Sequence, residues 1–546
     1  MTRGFWRKNG LKNGARIYLT TNFGPAWAIV GRMPKLRSTV NRFLINRMVY
    51  TMPTRPLGLS TYEDRDYRSW PGLTDRTWSA RHLPGDDQFP DPPPEVATVV
   101  GLFERPAGRE QVSAKSTLLF PHFAQWFVDG FLRTDPANAR KNTSTHEIDL
   151  SQLYGQTTDV TDALRRRDEQ RPGELKSQTI NGQEFPPYYF GADGQPKEEF
   201  ANLPITYPGG PDLEIGDRKT RTTSMSQPLS PEKRKKLFAL GIPRGNIHYG
   251  LVMMSTLFLR EHNSIAQQIA AAHEGDPKWN DDRVFETTRN TLTAVLLRVV
   301  IEDYINHITP IKFKLFVESG IGAGEKWYRQ NWMSVEFNLL YRWHTMIPSS
   351  IRVGGEDRNV QEVLWDTDLV TTNGLSALFD EASAQPCTAV GLLNTDPALL
   401  DIEQKSIEIG RETKLASFNA YRQRCGYPKL KSFEDLSSDP SVQSALKECY
   451  GEVDNVELYP GLFAEDVRKG GILPTLMATM VAVDAFSQAL TNPLLAPGIF
   501  GRETFSETGL EIFTSTKTLA DIVARNIPGE LPNPRVDFNQ ERRSIT

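Results

Sequence analysis

Glu336-Phe337-Asn338-Leu339-Leu340-Tyr341-Arg342-Trp343-His344, with Pro348 soon after, is the stretch on which the fold turns. Its apolar spacing and the proline beyond it read as the end of a helix. On a helix, Tyr341 and His344 share one face, with Cβ atoms roughly 5–6 Å apart. A neutral imidazole placed there can ligate a metal, and the phenol one turn earlier would stand beside whatever the histidine holds. A redox-active iron could oxidise that phenol, and the resulting radical could take a hydrogen atom from a neighbouring substrate. Core packing around a hydrogen-bonded imidazole accounts for the same pair, so the stretch alone leaves both readings open.

Four more segments flank it in a fixed order: Phe123-Ala124-Gln125 running on to Thr134, Leu259-Arg260-Glu261-His262-Asn263, Ile301-Glu302-Asp303-Tyr304, and Glu457-Leu458-Tyr459-Pro460-Gly461. Together with the 336–348 stretch they resemble the cyclooxygenase branch of the animal haem-peroxidase superfamily, over about residues 62–520. The resemblance implies a mainly α-helical body that sandwiches one b-type haem, with short membrane-binding helices before it. Residues 249–273 and 281–308 support the helical part independently, since both combine apolar periodicity with few Gly or Pro.

The chain has 546 residues but no Ser/Gly linker, no dividing charge block and no internal repeat. One large catalytic body, residues 61–546, with an N-terminal region, residues 1–60, is the organisation expected. A net charge of -4 argues against a nucleic-acid partner, which a basic face would serve. The three cysteines, Cys387, Cys425 and Cys449, form no Cys-x-x-Cys pair, so zinc and iron–sulfur sites are not suggested. No disulfide framework calls for an oxidising compartment. The cysteine-rich module of animal cyclooxygenases is missing, which points towards a microbial enzyme.

Residues 1–62 carry no Asp or Glu, yet Arg3, Arg7, Lys8, Lys12, Arg16, Arg32, Lys35, Arg37, Arg42, Arg47 and Arg55 are basic, with aromatic and aliphatic residues between them. The longest apolar run, residues 23–31, is far short of the roughly 20 residues a spanning helix needs, and no secretory signal is seen. Cationic, aromatic, short helices suit an interfacial anchor. The resemblance puts a monotopic membrane-binding set in the same place, so peripheral attachment at the cytoplasmic face is expected. A basic, partly disordered arm is the alternative.

Within the resemblance, His344 matches the proximal haem ligand and Tyr341 the radical-forming tyrosine. Tyr459 matches a tyrosine that reaches the proximal histidine through water, and Trp343 a channel or haem-flanking tryptophan. Gln125 matches a distal glutamine, but the histidine expected four residues later is Asp129. His122 and Arg244 are candidates to compensate, Arg244 lying sixteen residues before Arg260. Among the other histidines, His82 reads as exposed, His273 as a helix end, His262 as structural, and His307 as a neighbour of the substrate channel.

Tyr304 matches the tyrosine that hydrogen-bonds the radical-bearing phenol. The carboxylate-anchoring tyrosine position holds Ile311, with Lys312 next to it, and Arg47 or Arg55 stands near the anchoring arginine. Val481 replaces a family glycine, which narrows the channel, while Ala485, with Ser487 close by, falls near the acetylated serine. A narrow channel disfavours ring closure and suits simple oxygen insertion. The function expected is therefore a haem-dependent, tyrosyl-radical dioxygenase that converts an unsaturated fatty acid and O2 to a hydroperoxy acid, with a hydroperoxide as activator and a homodimer as a possible assembly. A peroxidase of small donors, or an inert haem- or lipid-binding membrane protein, are the rivals.

Overall fold

The computed structural model describes residues 3–52, 69–86, 89, 92–210, 228–527 and 534–540. The expected boundary near residue 60 and Arg55 lie outside these residues. Helices dominate the rest, and the β-structure among the described residues is four two-stranded antiparallel ribbons.

Three helices lead the chain: α1 (Arg3–Asn22), α2 (Gly24–Gly31) and α3 (Pro34–Val49). Proline near the first position starts both α2 and α3, where its missing N–H costs nothing. α3 buries Leu44, Ile45 and Val49. Asn41, fully buried, donates to the Phe316 carbonyl at 2.8 Å and accepts from the Phe316 N–H at 3.2 Å. The outer face is apolar as well: Leu11, Ile29 and Phe43 are 80%, 62% and 64% exposed.

The body is built around α4 (Leu119–Val128), α5 (Tyr249–Ala272) and α6 (Asp281–Val299). α5 packs on both of its neighbours and is buried over most of its length. His248 caps it, its Nδ1 accepting from the Gly250 N–H at 3.0 Å. Gly250 is required at that spot: a Cβ there would lie 2.6 Å from Nδ1 of His122 and 2.9 Å from Cε1 of His248. α6 is capped by Asn280 and opens with Asp281 and Asp282, which suit a helix N-terminus. It runs on into a π-helical turn, Val300–Ile305, that carries Tyr304. Such wide turns re-aim a side chain and recur at functional sites.

The decisive stretch departs from expectation. α7 (Val335–Leu340), capped by Ser334, stops one residue before Tyr341, and His344 starts a separate 3-10 turn, His344–Met346. Tyr341 and His344 therefore do not share one helix face. The reason is packing: the Tyr341 and Trp343 rings stack with centroids 4.8 Å apart. Residues i and i+2 point to opposite sides of an α-helix, so the helix has to end for them to meet.

Three further helices complete the surroundings: α8 (Leu400–Glu412), α9 (Leu458–Ala464) and α10 (Thr475–Leu490). α10 packs against both α3 and α7. A buried ion pair ties the N-terminal helices to this region. Arg422, 1% exposed, pairs with Glu465 and donates to the Lys8 carbonyl of α1 at 2.6 Å, while Glu465 accepts from the Leu476 N–H of α10 at 2.6 Å. Removing one partner leaves the other charge buried and alone, which costs about 3–5 kcal/mol. Arg422→Met is expected to lower the thermal unfolding temperature by that equivalent and to expose α1 to proteolysis; an unchanged melt would show that the pair does not hold the region.

Candidate functional site

Tyr341 is the centre of an aromatic cluster. Phe337 meets it edge-on at 5.1 Å, Trp343 stacks on its other side, and Phe120 of α4 lies parallel to both Trp343 (5.9 Å) and Tyr304 (5.1 Å). The Tyr304 and Tyr341 hydroxyls are both buried, and the two phenols interact. Burial first, and then the neighbouring phenol, push Tyr304 well above the usual phenol range. Burial and the Asp484 carboxylate raise Tyr341 likewise. Neither phenolate is accessible, so what Tyr341 can give up is a hydrogen atom.

Asp484 was not legible as a site residue, and His82 is not exposed as expected. His82 is buried, and its Nε2 lies 3.0 and 2.9 Å from the two carboxylate oxygens of Asp484. Burial opposes charging of His82, but the Asp484 carboxylate overrides it and raises the imidazole above its ordinary value. Beside this pair, Glu336 is fully buried and accepts from the His82 N–H at 2.8 Å and the Tyr421 hydroxyl at 2.7 Å.

His344 turns the other way. Its Nδ1 is buried and lacks a hydrogen-bond partner, while the side chain is 26% exposed, so the open edge of the ring is the one with Nε2. Facing Nδ1 is not Tyr459 but Glu403, whose Oε1 lies 3.6 Å away. Tyr459 instead donates to Glu403 Oε2 at 2.5 Å and approaches the Arg342 carbonyl at 3.3 Å. The tyrosine thus reaches the histidine through a carboxylate of α8. Its signal in the sequence was an acid at the same helical spacing as buried Ser406 and Ile407.

On α4, Gln125 and Asp129 lie one turn apart. Gln125 Oε1 pairs with His248 Nε2 at 2.8 Å; Asp129 pairs with half-exposed Arg244 at 3.4 Å. His122 is turned away to the Tyr249 hydroxyl, 2.8 Å from its Nε2. Because His248 Nδ1 accepts from Gly250, its proton sits on Nε2, so it donates to Gln125 and is not free to accept. Arg342 lies within electrostatic reach of Asp129 and Arg244 on one side and of Glu403 and Tyr459 on the other, so the two groups border one region. His262 is buried against Tyr154 and the Gly173 carbonyl, His273 ends α5, and buried His307 contacts Ser116 and Phe120.

Val481, Asp484 and Ala485 share one buried face of α10. Ser487 does not, being two residues from Ala485, and its hydroxyl donates to the Asp484 carbonyl at 3.1 Å. Ile311 is half-buried and Lys312 is exposed, with its N–H bound to the Thr20 carbonyl at 3.0 Å. A pocket of about 330 Å³ opens there, lined by Trp27, Arg37, Lys312, Phe313 and Lys314. Arg47 is exposed in the last turn of α3 and does not line it.

A family model for animal haem peroxidases matches residues 124–534. The chain belongs to the animal haem peroxidase family. It is 29% identical to prostaglandin G/H synthase 2 of Equus caballus over 528 residues, 94% of this chain and 80% of that protein. It is 27% identical to prostaglandin G/H synthase 1 of Mus musculus over 542 residues, 95% and 82% of the two chains. In fold it is similar to the fatty acid alpha-dioxygenase of Oryza sativa, with a TM-score of 0.66 at 16% identity over 97% of this chain and 95% of that one. The protein is an oxidoreductase, and its cofactor is haem.

At His344 the buried Nδ1 and the open Nε2 edge offer one nitrogen to an iron, and haem, which carries iron's other ligands in its porphyrin, needs a single such ligand from the protein.

The buried histidines make stability pH-dependent. Loss of water pushes His248 and His146 down to about 4 and His262 to about 3, and His122 falls well below its ordinary value. Unfolded, all four titrate near 6.5. As pH falls from about 6.5 towards 4 the unfolded chain takes up protons that the fold refuses, so stability drops, by up to about 1.4 kcal/mol per pH unit for each group. His82 acts oppositely, its contribution being full below 6.5 and lost as pH rises through its raised value. Thermal melts between pH 8 and 4 are expected to show a net fall below pH 6.5; a rise there would contradict the four neutral histidines.

Proposed function

We propose that the protein is a tyrosyl-radical fatty-acid dioxygenase, forming a hydroperoxy acid from an unsaturated fatty acid and O2. The observation that carries this reading is the buried Tyr341 phenol, stacked on Trp343, facing Tyr304 and three residues from a histidine whose Nε2 edge is open. His344 is the proposed iron ligand. Bound haem, activated by a hydroperoxide, would supply the oxidant that takes up both an electron and a proton, together one hydrogen atom, from Tyr341.

Everything else falls to the chain's own residues. The Tyr341 oxygen takes a hydrogen atom from a bis-allylic carbon: one C–H bond breaks and the phenol O–H re-forms. Dioxygen adds to the carbon radical, and the peroxyl radical regains a hydrogen atom from Tyr341, which restores the tyrosyl radical. Tyr304, Val481 and Ala485 shape the surroundings of the reacting carbon. Arg37 and Lys312, in the pocket that Trp27 and Phe313 also line, offer cations to the substrate carboxylate, which is costly to bury unpaired.

Gln125 with His248 is the proposed polar pair that would meet peroxide, in place of Asp129. Without a free proton acceptor it activates peroxide slowly, since general acid–base help is typically worth 10²–10⁴-fold. A second reading, oxidation of small donors, is favoured by the exposure of Arg244 beside Asp129.

Tyr341→Phe separates the two. The dioxygenase reading expects loss of fatty-acid-dependent O2 uptake with the Soret band kept; uptake that survives would transfer the chemistry to another group. His344→Ala is expected to abolish or displace the Soret band.

The exposed apolar residues of α1–α3, set among basic ones, are proposed to lie in a membrane interface. No helix among the described residues is long and apolar enough to cross a membrane. The full chain is expected to pellet with anionic liposomes, and Ile29→Asp with Phe43→Asp to release it; pelleting unaffected by both changes would refute the assignment.

A further inference from the structure

We infer that Glu403 is a positioning residue for His344, its carboxylate accepting the Nδ1–H of the ring so that Nε2 is held free of a proton and aimed at the iron. The inference rests on the reading of His344 as the haem ligand. Glu403 is fully buried in α8, with Oε2 occupied by the Tyr459 hydroxyl at 2.5 Å and Oε1 by the Thr395 hydroxyl at 3.1 Å. Each carboxylate oxygen has two lone pairs, so Oε1 keeps one for the ring. His344 Nδ1, buried and without a partner, lies 3.6 Å from Oε1. That gap is too long for a hydrogen bond, and closing it takes about 0.6 Å of ring movement.

An acid is needed here, rather than any polar residue of the same shape. Glutamine could keep its carbonyl on Tyr459, but its NH2 would then face Nδ1. The ring would have to accept through Nδ1 and carry its proton on Nε2, the wrong tautomer for binding metal. A carboxylate only accepts, so it enforces the productive tautomer and makes the imidazole a stronger electron donor. Arg342 adds a fixed cation within electrostatic reach of Glu403, which helps to hold a charge in this dry place.

The test uses the haem-loaded full chain as wild type, Glu403→Gln, Tyr459→Phe and His344→Gly, read by the iron–histidine stretch of the ferrous form, the ferric/ferrous midpoint potential and the rate of haem loss to a scavenger apoprotein. Glu403→Gln is expected to lower the stretching frequency, move the potential upward and speed haem loss about 10–100-fold, while Tyr459→Phe changes each much less. A Glu403→Gln protein that melts lower but keeps the wild-type stretch and potential would overturn the inference and leave Glu403 a packing residue. If Glu403→Gln does not accumulate, the wild-type stretch decides. A frequency above that of a histidine bonded to a neutral acceptor supports the role, and one at or below it overturns it. A stretch that survives in His344→Gly would defeat the ligand assignment and the inference with it.

Discussion

Stacking Tyr341 against Trp343 is the constraint on which the rest of the centre depends. It ends α7 at Leu340 and turns the chain through three non-helical residues, after which His344 faces away from the phenol. Had the helix continued, phenol and imidazole would have lain side by side on one surface. The break sends them to different neighbours: Tyr341 towards α10 and Tyr304, and His344 towards α8. Phe120 of α4, parallel to both Trp343 and Tyr304, packs against the turn. A short segment thus serves two environments, one around an open imidazole and the other around a phenol buried among aromatic rings.

Much of this was legible in the sequence, for an identifiable reason. Tyr304, Tyr341, His344 and Tyr459 stand in segments whose order and local pattern are distinctive, and the long helices follow from periodicity alone. The helix break was not legible, because it is enforced by ring packing and not by a breaker: nothing between Leu340 and His344 is glycine or proline. Glu403, His248, Asp484 and His82 were missed because each acquires meaning from a partner distant in sequence. His82 shows why a polar flank misleads. Its Arg-His context suggested solvent, whereas Asp484, 402 residues later, takes it into the core.

The cofactor region uses histidines in two opposed ways. His344 has an open nitrogen and an acid behind it, so its surroundings favour donation to a metal. His248 has both nitrogens engaged, one capping α5 and one on Gln125, and burial keeps it neutral down to about 4. A histidine fixed in that way orients the glutamine amide firmly. It cannot also shuttle protons without giving up the cap. Firm orientation at the expense of proton acceptance suits the proposed cycle, which takes one oxidation and then runs through a tyrosine.

That cycle also accounts for the electrostatics around Tyr341. Asp484 raises the phenol while its own charge is held by His82, so the phenolate is excluded at any ordinary pH. Oxidation must then remove the proton with the electron, and the product is a neutral phenoxyl. A neutral radical needs no hydration, so it can persist among Phe337, Trp343 and Phe120, where an ion could not. Each turn of the proposed cycle exchanges a neutral phenol for a neutral radical, and no step leaves a charge among these rings.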